Sequence, residues 1–293
     1  MIIIEQPGPL AVIEDLGRPG WSGIGVSPSG AADRSALRLA NRLVGNPEHY
    51  AGIEITFGGF AVSCDRPLWC AVTGAPGSVL VNDRPDGSHH SLRLEAGDTL
   101  RVPAPEQGLR NYLAVRGGIS VEPVLGSRST DLLSGLGPSP LAAGDQLPIG
   151  SSPLPLPPVN AAPQHRPPDG PLRLPLGPGP RADWFAEQSL ASLLEQVWSV
   201  GTDSDRTAVR LEGVGLQRRP DAPAELPSEG VLRGAVQVPP SGQPLIFGSN
   251  HPVTGGYPVI GVVPAAAVDR AAQLRPGDAV RFDPVGGRGS RLR

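Results

Sequence analysis

The densest group of side chains that could do chemistry lies in the second half of the chain. It falls in four segments, at residues 204–206, 226–230, 237–244 and 250–258. Gly255 and Gly256 would let backbone amides approach a ligand closely, and Tyr257 adds an aromatic face with a hydroxyl. Polar groups in the same segments that could bind or orient a substrate are Arg206, Glu229, Gln237, Asn250 and Thr254. These residues favour a substrate site over the alternative, a tight turn ahead of a strand.

A second polar group lies near the start of the chain, at residues 14–34. Arg18 supplies a guanidinium, and Ser29 and Gly30 supply a hydroxyl and an accessible amide ahead of a predicted helix that begins near Asp33. A helix N-terminus and a guanidinium could together hold a carboxylate or a developing oxyanion. The same residues fit a capped helix, in which the Asp33 carboxylate accepts hydrogen bonds from the helix backbone. Both interpretations stay open from the sequence.

A third polar stretch, at residues 126–131, follows an apolar strand. Ser127, Ser129 and Thr130 offer hydroxyls beside Arg128, and such a set could bind phosphate. A turn held by local Asp and Ser side-chain hydrogen bonds explains the same residues without a ligand. The turn is the simpler interpretation, and the ligand site is kept as an alternative.

The overall charge and the missing motifs exclude several classes of protein. The formal net charge of -3 gives no strong field for nucleic acid or an anionic membrane, so we expect neither partner. All 25 basic residues are arginines, so the chain has no P-loop, Schiff-base or biotin-bearing lysine. The two cysteines are too few for a disulfide framework and lack the four-ligand spacing of a zinc site, and the adjacent His89 and His90 are predicted to lie in a solvated loop, so no metal site is expected. No apolar run approaches the roughly 18 residues of a membrane helix, and the first residues do not resemble a signal peptide, so we expect a cytoplasmic protein.

Short apolar runs bounded by Gly, Pro and Asp predict a fold built mainly from β-strands. A Gly-Asp turn leads into a predicted strand three times, at residues 94–100, 141–147 and 274–280. Three helices are expected: Asp33 to Val44, a second capped by Asp183 that contains Leu190, Leu193, Leu194 and Val197, and a third from Pro264 to Ala272. The sequence therefore predicts a mostly β (α+β) protein with barrel-like or sandwich-like domains and few short helices.

A Pro-rich, polar stretch divides the chain. Between residues 151 and 170 no regular core element fits, because proline removes amide donors and favours extended backbone. We therefore predict an N-terminal β-rich domain at residues 1–150, a linker or crossover at 151–170, and a C-terminal domain at 171–293.

Ordered motifs along nearly the whole chain carry a resemblance to a known family. They lie at residues 15–20, 29–33, 36–41, 43–46, 54–56, 112–115, 126–132, 211–213, 237–244 and 254–258. In this order they resemble the family of the 5-oxoprolinase C subunit, also called allophanate hydrolase subunit 2 or biotin-dependent carboxyltransferase. The resemblance implies two β-barrel-like halves, the C-terminal one cyclophilin-like.

The resemblance also implies an activity shared with other chains. The leading hypothesis is the C subunit of an ATP-dependent 5-oxoprolinase, which with the A and B subunits converts 5-oxo-L-proline, a small amide, into L-glutamate. ATP with Mg²⁺ as counter-ion would be the cofactor, bound at or with the interface to the B subunit. The alternatives are the carboxyltransferase component of a split biotin-dependent urea or amide carboxylase, with biotin on another chain, and a non-catalytic regulatory relative.

The hypothesis assigns a role to each candidate residue. The proposed catalytic residues are Asp33, Arg206, Glu229 and Tyr257. The proposed substrate-binding residues are Arg18, Ser29, Gly30, Ser127, Ser129, Thr130, Gln237, Asn250, Thr254, Gly255 and Gly256. Asn250 and Val253 depart from the family's usual Asp and Thr, and Asn250 keeps hydrogen-bonding capacity but loses the negative charge of an Asp that could act as a general base or bind a metal.

Overall fold

The computed structural model describes residues 1–164, 169–223 and 225–285, and these form two compact units. The first unit contains residues 1–18 and 29–164, and the second contains residues 19–28 together with the described residues from 169 onward. The short segment 19–28 therefore belongs to the second unit although both of its neighbours in sequence belong to the first.

Two antiparallel sheets make up the first unit. Its strands are β1 (Ile2–Pro7), β2 (Leu10–Glu14), β3 (Gly52–Thr56), β4 (Phe60–Cys64), β5 (Leu68–Gly74), β6 (Ser78–Val81), β7 (Arg84–Gly87), β8 (Ser91–Leu94), β9 (Thr99–Val102), β10 (Arg110–Val115) and β11 (Gln146–Leu147). One sheet has the order β11-β1-β4-β9-β6-β7 and the other the order β2-β3-β10-β5-β8. Apolar residues of both sheets, among them Ile4, Ile53, Val72 and Leu100, share one core, because alternate residues of each strand point to the same face.

Helix α1 (Arg34–Leu43) packs on the five-stranded sheet, against β5 and β10. It buries the apolar stripe of Leu37, Ala40 and Leu43, and Asp33 lies at its N-cap, with the carboxylate accepting the Ala36 amide at 2.9 Å. The prediction of a helix beginning at Asp33 and ending near Val44 is confirmed.

The second unit is a closed barrel with the strand order β12-β19-β16-β17-β14-β13-β20. The bounds are β12 (Leu172–Pro178), β13 (Trp198–Val200), β14 (Ala208–Glu212), β16 (Ala235–Gln237), β17 (Leu245–Phe247), β19 (Val259–Val262) and β20 (Ala279–Pro284). A separate ribbon pairs β15 (Glu229–Gly230) with β18 (Thr254–Gly255). Closure leaves the barrel without exposed edges around a core that includes Trp198, Ile246, Ile260 and Phe282. The predicted fold class, a mostly β protein with two β halves, is confirmed.

The other two α-helices of the described residues are α2 (Glu187–Glu195) and α3 (Ala265–Ala271). Helix α3 is confirmed, but it begins one residue later than predicted, because Pro264 lies at its N-cap and not in its first turn. The predicted cap of the second helix is wrong: Asp183 lies inside a 3-10 turn, Ala182–Trp184, and α2 begins after an extended Phe185 and has Ala186 at its N-cap. The burial of Trp184 and Phe185 in the barrel core requires this break in the chain, and Val197 lies outside α2 and is exposed.

The three Gly-Asp turns have the same internal hydrogen bond. The carboxylates of Asp98, Asp145 and Asp278 each accept the amide of the residue three positions earlier, at 2.7, 2.8 and 2.8 Å. The turns lead into β9, β11 and β20, so the prediction of a turn entering a strand is confirmed at all three positions.

The Pro-rich stretch runs along the first unit as far as it is described. Residues 151–164 contain no α-helix and no strand longer than an isolated bridge. Their backbone nevertheless bonds to the first unit, since the Ser91 amide donates to the Asn160 carbonyl and the Ala162 amide donates to the His89 carbonyl, both at 2.8 Å. The boundary predicted within 151–170 stays a prediction, because residues 165–168 lie outside the described chain.

One expectation about the histidines is wrong. His89 is buried, with Nδ1 at 2.8 Å from Ser88 Oγ, whereas His90 Nε2 lies 3.1 Å from the Asp86 carboxylate and is partly exposed. Other residues of the same chain bury His89, so only the His90 side chain is in contact with solvent. Among the described residues, no helix is long and apolar enough to cross a membrane.

Candidate functional site

The β15–β18 ribbon brings together the two glycine-flanked segments that the sequence singled out. Glu229 lies opposite Gly255 and Gly230 lies opposite Thr254 in an antiparallel pair. Thr254 and Tyr257 are exposed, and Gly255 and Gly256 are half-buried. Four residues predicted to act together, Glu229, Thr254, Gly255 and Tyr257, are therefore on or next to one short ribbon.

A bidentate ion pair joins this ribbon to the barrel. Arg181 Nε donates to Glu229 Oε2 at 3.1 Å, and Arg181 Nη2 donates to Glu229 Oε1. Hydrogen bonding from Arg181 lowers the pKa of the Glu229 carboxyl, and the same hydrogen bond raises the pKa of Arg181, so both groups stay charged. About one third of each side chain is exposed, at 35% and 32%, so the pair is open to solvent ligands.

Arg181 is held by backbone contacts of the barrel. Its amide donates to the Val259 carbonyl at 3.1 Å, two residues after Tyr257, and the Gly179 amide donates to the Ile260 carbonyl at 3.0 Å. The sequence analysis missed Arg181. Its position in a Gly-Pro turn directly after an apolar strand was the available signal, but only the fold shows that Glu229 is its partner.

Gln237 links the barrel to the glycine pair. It is buried at the end of β16, and its Nε2 donates to the Tyr257 carbonyl at 2.9 Å. A Cβ placed on Gly255 would lie 2.6 Å from Gln237 Nε2, so a larger residue there would displace the amide. Gln237 therefore positions the Gly255–Tyr257 backbone.

Arg206 and Asn250 form a buried pair in the same unit. Arg206 Nε donates to Asn250 Oδ1 at 3.0 Å, and the Asn250 amide donates to the Arg206 carbonyl at 3.0 Å. His251 follows, with Nδ1 at 2.7 Å from the Pro252 carbonyl, and Ser27 of segment 19–28 donates to the Ser249 carbonyl at 3.5 Å. Because the Asn250 side chain is neutral, Arg206 meets an amide oxygen in this pair and not the carboxylate of the family's usual Asp.

In the first unit, Asp15 is the centre of the predicted phosphate loop. Its carboxylate accepts Ser127 Oγ and Ser129 Oγ, each at 2.6 Å, and the amides of Arg128 and Gly17, each at 2.7 Å. The hydroxyls expected to bind phosphate thus donate to a carboxylate, whose negative charge would repel a phosphate. The residues of this loop do not fit a phosphate group.

Arg18, Ser29 and Thr130 converge on the same loop. Arg18 is fully buried, donates through Nη2 to the Ser129 carbonyl, and has Nη1 at 4.0 Å from the Asp131 carboxylate. Ser29 Oγ donates to the Thr130 carbonyl at 3.2 Å. The fold therefore brings these predicted residues of the first unit together. The Arg18 and Ser29 side chains, however, bond to backbone carbonyls, and Arg18 also lies near the Asp131 carboxylate.

Asp33 belongs to a buried network beneath helix α1. Its amide donates to Tyr112 Oη at 2.7 Å, and Tyr112 Oη in turn donates to Glu54 Oε2 at 2.8 Å. Glu54 also accepts the Ala32 amide at 2.8 Å and lies 3.3 Å from Arg110 Nε. Burial, and then the charge of Glu54, raises the pKa of Tyr112 well above its ordinary value. Sequence reasoning gave Glu54 and Tyr112 no role, and their only signal was their place in the family motifs.

No group of three or more His, Cys, Asp or Glu side chains within the described ranges is arranged to hold a metal ion. The candidate side chains of the first unit, such as Arg18 and Ser29, are buried and bond to the protein itself. The ribbon of the second unit has exposed Thr254 and Tyr257 beside the partly exposed Arg181–Glu229 pair.

Comparison with known proteins decides the family. The family model for the carboxyltransferase domain, subdomain A and B, matches residues 24–284, which is most of the chain. The chain belongs to the carboxyltransferase domain family. The resemblance drawn from the motifs is thereby confirmed.

Relatives in the carboxyltransferase domain family differ in length. The 5-oxoprolinase C subunit of Escherichia coli (strain K12) is 37% identical over 285 residues, which cover 96% of this chain and 90% of that protein. The urea amidolyase of Lachancea kluyveri is 32% identical over 310 residues, covering 96% of this chain but only 17% of that protein.

Solved structures of the carboxyltransferase domain family share the fold. The crystal structure of K. lactis urea amidolyase matches with a TM-score of 0.91 and 31% identity, over 97% of this chain and 19% of that one. The crystal structure of TTHA0988 matches with a TM-score of 0.86 and 35% identity over 96% of this chain. The chain spans 55% of TTHA0988, so this relative contains a large further segment.

Proposed function

We propose that the chain acts as the C subunit of an ATP-dependent 5-oxoprolinase, which converts 5-oxo-L-proline into L-glutamate together with the A and B subunits. The supporting observation is the 37% identity to the E. coli 5-oxoprolinase C subunit over 96% of this chain and 90% of that protein. Two chains of similar length that align almost end to end are suited to the same place in a complex.

The geometry of the second unit supports amide chemistry. Opening a lactam places negative charge on the carbonyl oxygen, which guanidinium groups, backbone amides and hydroxyls stabilise. The half-buried Gly255–Gly256 backbone and the exposed Tyr257 offer such donors on or next to the ribbon that carries the ionised Glu229. ATP with Mg²⁺ would supply the free energy for opening the ring. Since the loop around Asp15 does not fit phosphate, we place ATP with the partner subunits.

The test is the release of glutamate from 5-oxo-L-proline and ATP by this chain co-expressed with its candidate A and B partners. Each protein component, ATP and Mg²⁺ are omitted in turn. We expect turnover only when this chain is present. A stable complex of all three chains that releases no glutamate would reject the proposal.

A second candidate is the carboxyltransferase component of a split biotin-dependent urea or amide carboxylase. The supporting observation is the fold match to K. lactis urea amidolyase, at a TM-score of 0.91. All basic residues of this chain are arginines, so biotin would reside on a separate carrier. Transfer of ¹⁴C from carboxybiotin on such a carrier to urea would support this candidate. A complex that performs neither reaction would favour a regulatory relative without catalytic activity.

A further inference from the structure

The Arg181–Glu229 pair has the geometry that proteins use to recognise carboxylate ligands. Two parallel N–H···O bonds, through Nε and Nη2 to the two carboxylate oxygens, join the guanidinium edge to Glu229. This planar fork fits two oxygens of one carboxylate or phosphate group, and a neutral amide cannot satisfy both donors equally. An ion pair that is about one third exposed is also weak enough to exchange with a competing carboxylate from solution.

The two partners differ in how firmly they are held. Arg181 lies between β12 and the 3-10 turn at Ala182–Trp184, and its backbone is bonded to β19 of the closed barrel. Glu229 lies on a strand of two residues that pairs only with another strand of two residues, outside the barrel. Displacing Glu229 therefore breaks fewer contacts of the fold than displacing Arg181.

Resting on the proposed function, we propose that Arg181 binds the carboxylate of the substrate and that Glu229 occupies the guanidinium as an internal substitute until the substrate arrives. Arg181 is then the residue that selects a carboxylate-bearing cyclic amide over a neutral amide or urea. Exchange of one carboxylate for the other conserves the charge at Arg181. It also releases an ionised Glu229 next to Gly255 and Tyr257, where the amide of the substrate would lie.

The test compares two lactams that differ only in the carboxylate, 5-oxo-L-proline and 2-pyrrolidinone. Binding of each to the assembled complex is measured by calorimetry, and turnover is measured alongside. The variants are Arg181→Gln, Arg181→Lys and Glu229→Gln. The matched control is Arg173→Gln, which breaks another exposed bidentate pair of the same unit, formed with Asp283 at 2.8 and 2.5 Å.

We expect Arg181→Gln to weaken 5-oxo-L-proline binding by about tenfold or more, while 2-pyrrolidinone binding changes less than about twofold, since one charge-assisted contact accounts for such a factor. Arg181→Lys keeps the charge but loses the fork, so it should restore binding only in part. Glu229→Gln should tighten 5-oxo-L-proline binding, because the internal competitor is weakened. Arg173→Gln should leave both affinities unchanged.

Two results would overturn the inference. One is equal weakening of both lactams by Arg181→Gln, and the other is failure of the wild-type complex to prefer 5-oxo-L-proline over 2-pyrrolidinone. Carboxylate-selective binding that depends on Arg181 without any glutamate release would reject the proposed function and leave the role of Arg181 standing. The two failures are therefore distinguishable.

Discussion

Asp33 accepts the Ala36 amide through one carboxylate oxygen at the start of α1. Substitutions at Asp33 can therefore separate a capping role from the catalytic role predicted from the sequence. Asp33→Ala removes the acceptor and should lower the free energy of unfolding by about 1 kcal/mol. Asp33→Ser keeps an acceptor at the cap and should recover most of that loss. Urea denaturation followed by circular dichroism measures both variants.

Activity of the same two variants separates the roles. If Asp33 acts only as a cap, the complex containing Asp33→Ser should release glutamate at close to the wild-type rate. An Asp33→Ser protein as stable as wild type but inactive in the complex would show that the carboxylate itself takes part in catalysis. That outcome would retain the assignment made from the sequence.

Tyr112 should make the protein sensitive to alkaline pH. Burial and the neighbouring Glu54 raise its pKa well above the ordinary value of about 10. A raised folded-state pKa contributes stability that is complete below the ordinary pKa and is lost as the pH rises toward the folded-state pKa. Absorbance of phenolate near 295 nm should therefore show one of the three tyrosines ionising only as the protein unfolds.

The control for this titration is Tyr112→Phe, which removes the hydroxyl between Asp33 and Glu54. The late ionisation step should disappear in that variant. A late step that persists in Tyr112→Phe would assign the resistant phenol to another tyrosine and contradict the prediction.

At the scale of elements, the turn from Ser29 to Asp33 depends on a glycine for two separate reasons. Gly30 has φ +91°, which costs a residue with a Cβ roughly 1 kcal/mol, and a Cβ there would also lie 2.7 Å from the Leu16 carbonyl carbon. Gly97, in the turn before β9, has φ +88° with open space around its Cβ direction. It supplies a control for the backbone cost alone.

We therefore expect Gly97→Ala to lower the free energy of unfolding by about 1 kcal/mol, and Gly30→Ala to lower it by at least about 2 kcal/mol more because the backbone must move. Urea midpoints of the two variants measured side by side give the difference. Equal losses of unfolding free energy in the two variants would contradict the prediction. They would mean that the backbone near Leu16 moves away from the added Cβ at no cost.

Elements could be predicted from the sequence where their signals are local. Asp33 and the three Gly-Asp turns act on amides three residues away, so the residue types nearby sufficed. Asp183 shows the limit, because burial of Trp184 and Phe185 in the barrel core overrides its capping tendency. The Arg181–Glu229 pair joins residues 48 positions apart, and no local pattern identifies such a partner.

At the scale of the whole molecule, the grouping of residues 19–28 with the second unit could not be predicted from the sequence. Composition marks where the chain becomes polar and extended, and this is a property of neighbouring residues. The assignment of residues 19–28 to the second unit depends instead on contacts made more than 200 residues away, such as that of Ser27 with Ser249, 222 positions apart. Motifs near both ends of the chain therefore contribute to the second unit.

The grouping of residues 19–28 with the second unit gives a prediction for the fragment comprising residues 169–293, which lacks that segment. All seven barrel strands lie between Leu172 and Pro284, and the buried residues of the barrel core lie between Leu174 and Phe282. The fragment should therefore unfold cooperatively. It lacks Ser27, so amide exchange at Ser249 and Asn250 should be faster than in the full chain, while the amides of Val236, Ile246 and Ile260 stay protected. Hydrogen exchange of fragment and full chain checks both parts, and a fragment without protected barrel amides would show that the barrel cannot fold without the rest of the chain.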